Sequence, residues 1–263
     1  MLETGTHQAA GLAALAAWTA HRLPRLGALV AHGDSASELP LLWQLCATWT
    51  ELDYPVAVLD ACARESDATP GLLQLLQGEE LDEASTLAQA GWPVLPAALG
   101  LSRLCRLPGS DEAAQRLRAL LSPFGGYEML VLYAPAALLT QLLPHSGLAP
   151  LLSVGAGAHS QLSAYQTLKR LLNPGGLRPT IVSVMDEDTE TAQQTGAALA
   201  RKLQYCAREF LACEVPALTV CGSRREPLQR LALRSLEEAL PPPAEAAALA
   251  APRADRLSAA RSL

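Results

Sequence analysis

The 263-residue sequence lacks a basic surplus: 20 Lys and Arg stand against 26 Asp and Glu, a net charge of −6. Nucleic-acid binding through phosphates needs a concentrated positive face, so a nucleic-acid partner is not expected. No apolar run approaches the roughly 18 residues of a membrane-spanning helix. The apolar stretch 9–20 has no basic leader, because Glu3 precedes it, so no secretory signal is expected and the predicted address is cytoplasmic. Closely spaced cysteines are also missing. Cys46, Cys62, Cys105, Cys206, Cys213 and Cys221 never fall two residues apart and several sit in apolar patterns, which predicts buried thiols in a reducing compartment and no metal site. There is no Gly-x-Ser-x-Gly, no internal repeat, and no histidine beyond His159.

What the chain has is apolar material, half of all residues, enough for the core of one large α/β domain. Apolar runs of strand length alternate with helical patterns. Strands are predicted over 26–31, 56–60, 128–133, 151–154, 180–184 and 215–220, with a short extended segment at 92–96 whose prolines exclude a central ladder position. Helices are predicted over 7–20, 39–52, 72–76, 111–121, 160–172, 189–210 and 226–240. Such alternation predicts an α/β fold, a mostly parallel central sheet with helices on both faces. The organisation expected is an N-terminal helical segment (1–22), an α/β domain (23–240) and a mobile Pro/Ala/Arg-rich tail (241–263).

The pivot is the βαβ unit over 26–60. In nucleotide-binding proteins built this way, glycine N–H groups in the turn after the first strand hold phosphates, and a lysine follows. Here the turn is His32-Gly33-Asp34-Ser35-Ala36-Ser37-Glu38-Leu39, with one glycine, two acids and no lysine. Acids and a serine at this point also suit the first turn of an ordinary capped helix.

Four phrases resemble one family. His7-Gln8-Ala9-Ala10-Gly11-Leu12 is similar to the Asp-Gln-Ala-x-x-Leu-Arg segment that opens the flagellar-number regulators FlhG and FleN. Val56 to Ala61 resembles their strand ending in Asp-Ala, and Tyr127 to Leu132 their Tyr-Asp-Tyr strand. The stretch 160–172 resembles their Ser-Leu-x-x-Ala-Tyr helix. The chain is thereby similar to MinD/ParA-type P-loop ATPases, and the resemblance implies a P-loop NTPase-like fold.

The departures from that family fall at separate points of its nucleotide site. Counted back without gaps from Asp60, the family's phosphate-binding Lys falls at Glu38, its Mg²⁺-binding Ser/Thr at Leu39, and its glycines at Asp34, Ser35 and Ser37, while Gly33 is the one glycine of the turn. Its acid two places after the Asp60 equivalent becomes Cys62, the Asp closing the later strand becomes Tyr133, and the adenine-contacting Asn becomes Val184. A carboxylate replacing an ammonium about 4 Å from a phosphate contributes a repulsion of roughly 4 kcal/mol at an effective dielectric of 20, about a thousandfold in affinity. The expectation is a degenerate Walker A, a pseudo-ATPase with no ATP or Mg²⁺ cofactor and no catalytic residues. By resemblance it would be a regulatory protein of flagellar biosynthesis, with an FlhF-type signal-recognition GTPase as protein partner and Gln8, Ala9 and Leu12 as the candidate contact. Other branches of the class, in cellulose secretion or partition, would instead imply a residual ATP-binding switch.

A different class shares part of the pattern. Val30-Ala31-His32-Gly33-Asp34-Ser35 resembles the oxyanion turn of α/β-hydrolases and the Gly-Asp-Ser nucleophile of GDSL esterases, but no late histidine supplies the base such enzymes need. Ser160 is expected to cap a helix, and Asp186-Glu187-Asp188 to form a solvated acidic loop. Arg224, Arg225 and the tail residues Arg253, Arg256 and Arg261 offer weak contact with anionic lipid.

Overall fold

Strands form where Val, Leu, Ile and Ala run without interruption, because a parallel sheet covered by helices buries both of its faces. They are β1 (Arg25–Ala31), β2 (Val56–Asp60), β3 (Val94–Pro96), β4 (Met129–Pro135), β5 (Leu151–Val154), β6 (Thr180–Met185) and β7 (Ala217–Cys221). The computed structural model describes residues 23–79, 81, 91–106, 112–185, 187–222 and 224–243. The predicted N-terminal helix with Gln8, Ala9 and Leu12, residue Asp186, and the tail beyond 243 lie outside the described residues.

The seven strands make one sheet in the order β3-β2-β4-β1-β5-β6-β7, and every strand pairing in it is parallel. Helices α1 (Ser35–Glu51), α2 (Leu72–Leu75), α3 (Ala98–Cys105), α4 (Glu112–Leu121), α5 (Ala136–Leu142), α6 (Ala158–Leu172), α7 (Glu190–Leu211) and α8 (Arg225–Glu238) connect and cover it. The two-residue side-chain period divides each strand between two cores. Leu26, Ala28 and Val30 of β1 and Leu130, Leu132 and Ala134 of β4 face a core shared with α3, α5, α6 and α7. Leu29 of β1 and Met129, Val131 and Tyr133 of β4 face a second core with α1 and α8. There the Trp49 indole N–H donates to the Ala232 carbonyl at 2.9 Å and fastens α1 to α8. The prolines at 93 and 96 fit β3's place at the sheet edge, as the sequence predicts.

Several boundaries differ from expectation for local reasons. Helix α1 begins at Ser35 and carries Pro40 inside it. The missing Pro40 N–H costs only the partner of the Ala36 carbonyl, and Ala36 is exposed to solvent, so the helix runs through. Helices α3 and α5 were not predicted; each is too short to show a multi-turn period. The buried Glu65 closes α3 from outside: its carboxylate accepts from the Leu99 N–H at 2.7 Å and the Gly100 N–H at 2.8 Å. Gly71 allows this corner to close, since a Cβ there would lie 2.1 Å from the Pro96 carbonyl oxygen.

Candidate functional site

The chain leaves β1 toward α1 on one face of the sheet and leaves β5 toward α6 on the other. In open α/β sheets ligands bind where such loops part, beyond the carboxyl ends of the strands. Of the residues singled out from the sequence, Gly33, Asp34, Ser37, Glu38 and Tyr133 come together at this point. Gly33, with φ +90°, turns the chain from β1 into α1, and Asp34 occupies the N-cap position. Glu38, one turn into α1, is 1% exposed and points back under the turn.

The Glu38 carboxylate is the hub. Its Oε1 accepts from the His32 N–H at 2.9 Å and from the Asp34 N–H at 2.8 Å, while its Oε2 accepts from the Tyr133 hydroxyl at 2.5 Å. Tyr133 arrives from β4, the strand paired with β1, and packs at 8% exposure. Burial, and then the bond to and charge of Glu38, raise the phenol far above its ordinary range, so it remains a donor. The His32 imidazole packs beside the carboxylate, with Nε2 3.5 Å from Oε1.

This corrects the expectation of an ordinary capped helix. Asp34 makes no side-chain cap; its Oδ2 accepts instead from the Ser37 hydroxyl at 2.6 Å. The two N–H groups that Glu38 binds, those of His32 and Asp34, lie in the turn before the helix and are held by a carboxylate of that same helix. Burial pushes the Asp34 carboxyl up, but hydroxyl bonds from Ser160 and Ser37, the nearby His32 and the Gly155 N–H outweigh it and hold the group below the ordinary aspartate range.

The same residues tie the two diverging loops together. Ser37 Oγ lies 3.1 Å from Ser153 Oγ on β5, and Gly155 N–H donates to Ser160 Oγ at 2.7 Å. Ser160 is therefore not the N-cap expected of it. Gly157 holds that position, and the Ser160 hydroxyl folds back onto the turn. His32 Nε2 lies 3.0 Å from the Ser153 carbonyl and Nδ1 2.8 Å from Ser163 Oγ. A carbonyl can only accept, so Nε2 carries hydrogen and, in the neutral ring, Nδ1 accepts from Ser163.

His32 thus stands between a serine and a carboxylate, the composition of a hydrolase triad. Nε2 is nearer the Ser153 carbonyl than Glu38, and the ring is wholly buried, out of reach of a substrate. Both ring nitrogens are engaged away from Ser35, the exposed first residue of α1.

The remaining predicted positions lie around this hub. Asp60 ends β2 in register with Tyr133, and its Oδ1 accepts from the Cys62 and Ala63 N–H groups at 2.8 and 3.3 Å. Cys62 is exposed; partial burial and the charges of Asp60 and Glu38 push its thiol up, away from thiolate chemistry. Leu39 is 48% exposed and points away from the hub. Val184, across the sheet, lines a cleft of about 350 Å³ with Asp34, Ser37, Gly155, His159 and Ser160. The chain's lysines, Lys169 and Lys202, lie on α6 and α7. Of the acidic loop, Asp188 pairs with Arg224 at 2.6 Å. Ser153, fully buried in an otherwise apolar strand, was missed; a lone polar residue inside such a run was the available signal. Among the described residues no cluster suited to a metal ion occurs, and no helix is long and apolar enough to cross a membrane.

No protein-family model matches the sequence, and no curated protein matches it. Solved structures do match. Cobyrinic acid a,c-diamide synthase from Mycobacterium smegmatis is 14% identical, with 82% of this chain and 94% of that one covered at a TM-score of 0.50. The MinC:MinD cell division complex of Aquifex aeolicus is 11% identical over 78% of this chain and 85% of that one, at a TM-score of 0.48. At such identities the likeness concerns the fold alone: the seven-stranded parallel sheet with its covering helices is a fold this chain shares with the synthase.

Proposed function

We propose that the chain is a non-catalytic regulatory or scaffold protein of the MinD/ParA class, a pseudo-ATPase that works through protein contacts in the cytoplasm. The observation that carries this reading is the buried Glu38–Tyr133 pair. It takes up the His32 and Asp34 N–H groups, puts a negative charge where a phosphate would sit, and replaces both the lysine and the metal-side acid on which phosphoryl transfer depends. Mg-ATP does not fit this donor set, and no ATP or Mg²⁺ is required. The resemblance of residues 7–12, 56–61, 127–132 and 160–172 to FlhG and FleN supports a setting in flagellar biosynthesis or placement, with an FlhF-type GTPase as partner.

The cleft beside Val184 favours one second reading, a residual ATP-binding switch of the cellulose-secretion or partition branch, with base and ribose in the cleft. Purified FlhF-type GTPase passed over the immobilised full chain separates the two. The regulatory reading predicts capture that is equal with and without Mg-ATP and is lost on deletion of residues 1–20 at unchanged melting temperature. Absence of capture would remove the flagellar setting, and capture only with ATP would favour the switch.

A further inference from the structure

We infer that the β1–α1 turn is an intact anion nest whose ligand is the chain's own Glu38 carboxylate, leaving a latent site for a small carboxylate. This rests on the pseudo-ATPase reading and deepens it: the loop has kept its capacity to bind an anion, and the anion is built in.

The donors are arranged as for a ligand. Two backbone N–H groups two residues apart, on His32 and Asp34, converge on a single oxygen at 2.9 and 2.8 Å. Successive N–H groups aimed inward from a turn with a positive-φ residue between them are the pattern of an anion-binding concavity, and Gly33 supplies that residue. The second oxygen meets the Tyr133 phenol, which arrives from a different strand. Glu38 sits on a regular turn of α1 and is 1% exposed, so the occupant is tethered to the site and shielded from solvent. The loop is held in its anion-bound shape, and the Ser37–Ser153 and His32–Ser163 contacts carry that shape across to β5 and α6. The chemistry these donors recognise is a planar carboxylate with one oxygen toward the loop and one toward the phenol.

Glu38→Ala removes the ligand and leaves its donors. The variant should melt at lower temperature than wild type and recover with sodium formate or acetate, saturating with concentration as one site requires, whereas sodium chloride at equal ionic strength leaves it unchanged. Inorganic phosphate serves as the comparison, and recovery with phosphate alone would contradict a carboxylate site. A folded Glu38→Ala that ignores formate, acetate and phosphate would overturn the inference. Should that variant fail to fold, amide hydrogen exchange on the wild-type chain decides: the His32 and Asp34 amides are predicted to be protected, and Glu38→Gln to reduce that protection. Free exchange at both in wild type would overturn the nest. Mg-ATP binding by wild type with both amides still protected would instead defeat the pseudo-ATPase reading and leave the nest standing.

Discussion

Asp34 and Glu38 are both acids at the start of one helix, yet their surroundings give them different work. Glu38 is sealed beneath the turn, whereas Asp34 lies at the cleft and joins α1 to the β5–α6 turn through Ser37, Ser160 and Gly155. Burial opposes the Asp34 charge, but the hydroxyl and N–H donors prevail, so its folded-state pKa lies below its unfolded one. A group of this kind contributes stability that is fully present above its unfolded pKa of about 3.9 and is lost as pH falls through the folded value. Unfolding free energy measured by urea between pH 6 and the acid limit should decline on that limb, and Asp34→Asn should flatten the decline. An unchanged acid limb in the variant would show that Asp34 does not carry the linkage. At this scale the sequence located the positions, since Glu38 and Tyr133 both emerge from counting along the chain. It could not show that they touch, because a bond between residues 95 apart exists only once β1 and β4 are paired.

A buried carboxylate stands at the start of two helices in this fold. Neither α1 nor α3 has a side-chain cap from its N-cap residue. Glu38 satisfies the turn before α1 from within, and Glu65 satisfies the first turn of α3 from the loop after β2. Glu65→Ala would leave two N–H groups without their acceptor in a buried corner, at a cost of about 2 kcal/mol. For a domain of this size that corresponds to a fall in melting temperature of about 4 to 8 °C. A change of less than a degree would show that the Glu65 contacts are not made in solution. The long helices were legible because their apolar period persists over several turns, as in α7 with Leu199, Ala200, Leu203 and Ala207 buried. Helix α3 was not, because its start is fixed by Glu65, whose role leaves no local mark in the sequence.

The whole molecule is an open parallel α/β sheet in which the crevice beyond the strand ends is crossed by the chain's own hydrogen bonds. Parallel pairing, helices on both faces and an edge place for the proline-flanked strand were all readable from apolar runs and their spacing, because burial on both faces forces those runs. The strand order was not readable, since β2 and β1 are joined by α1 yet separated by β4, a choice made by packing between distant segments. Serines of β5 and α6 bond to the β1–α1 turn, so hydrogen bonds bridge the elements on the two sides of the crevice. Isothermal titration of the full-length wild-type chain with Mg-ATP tests this account most directly. A pseudo-ATPase gives no heat beyond dilution up to millimolar nucleotide, and a saturable one-to-one isotherm with a micromolar Kd would contradict that reading.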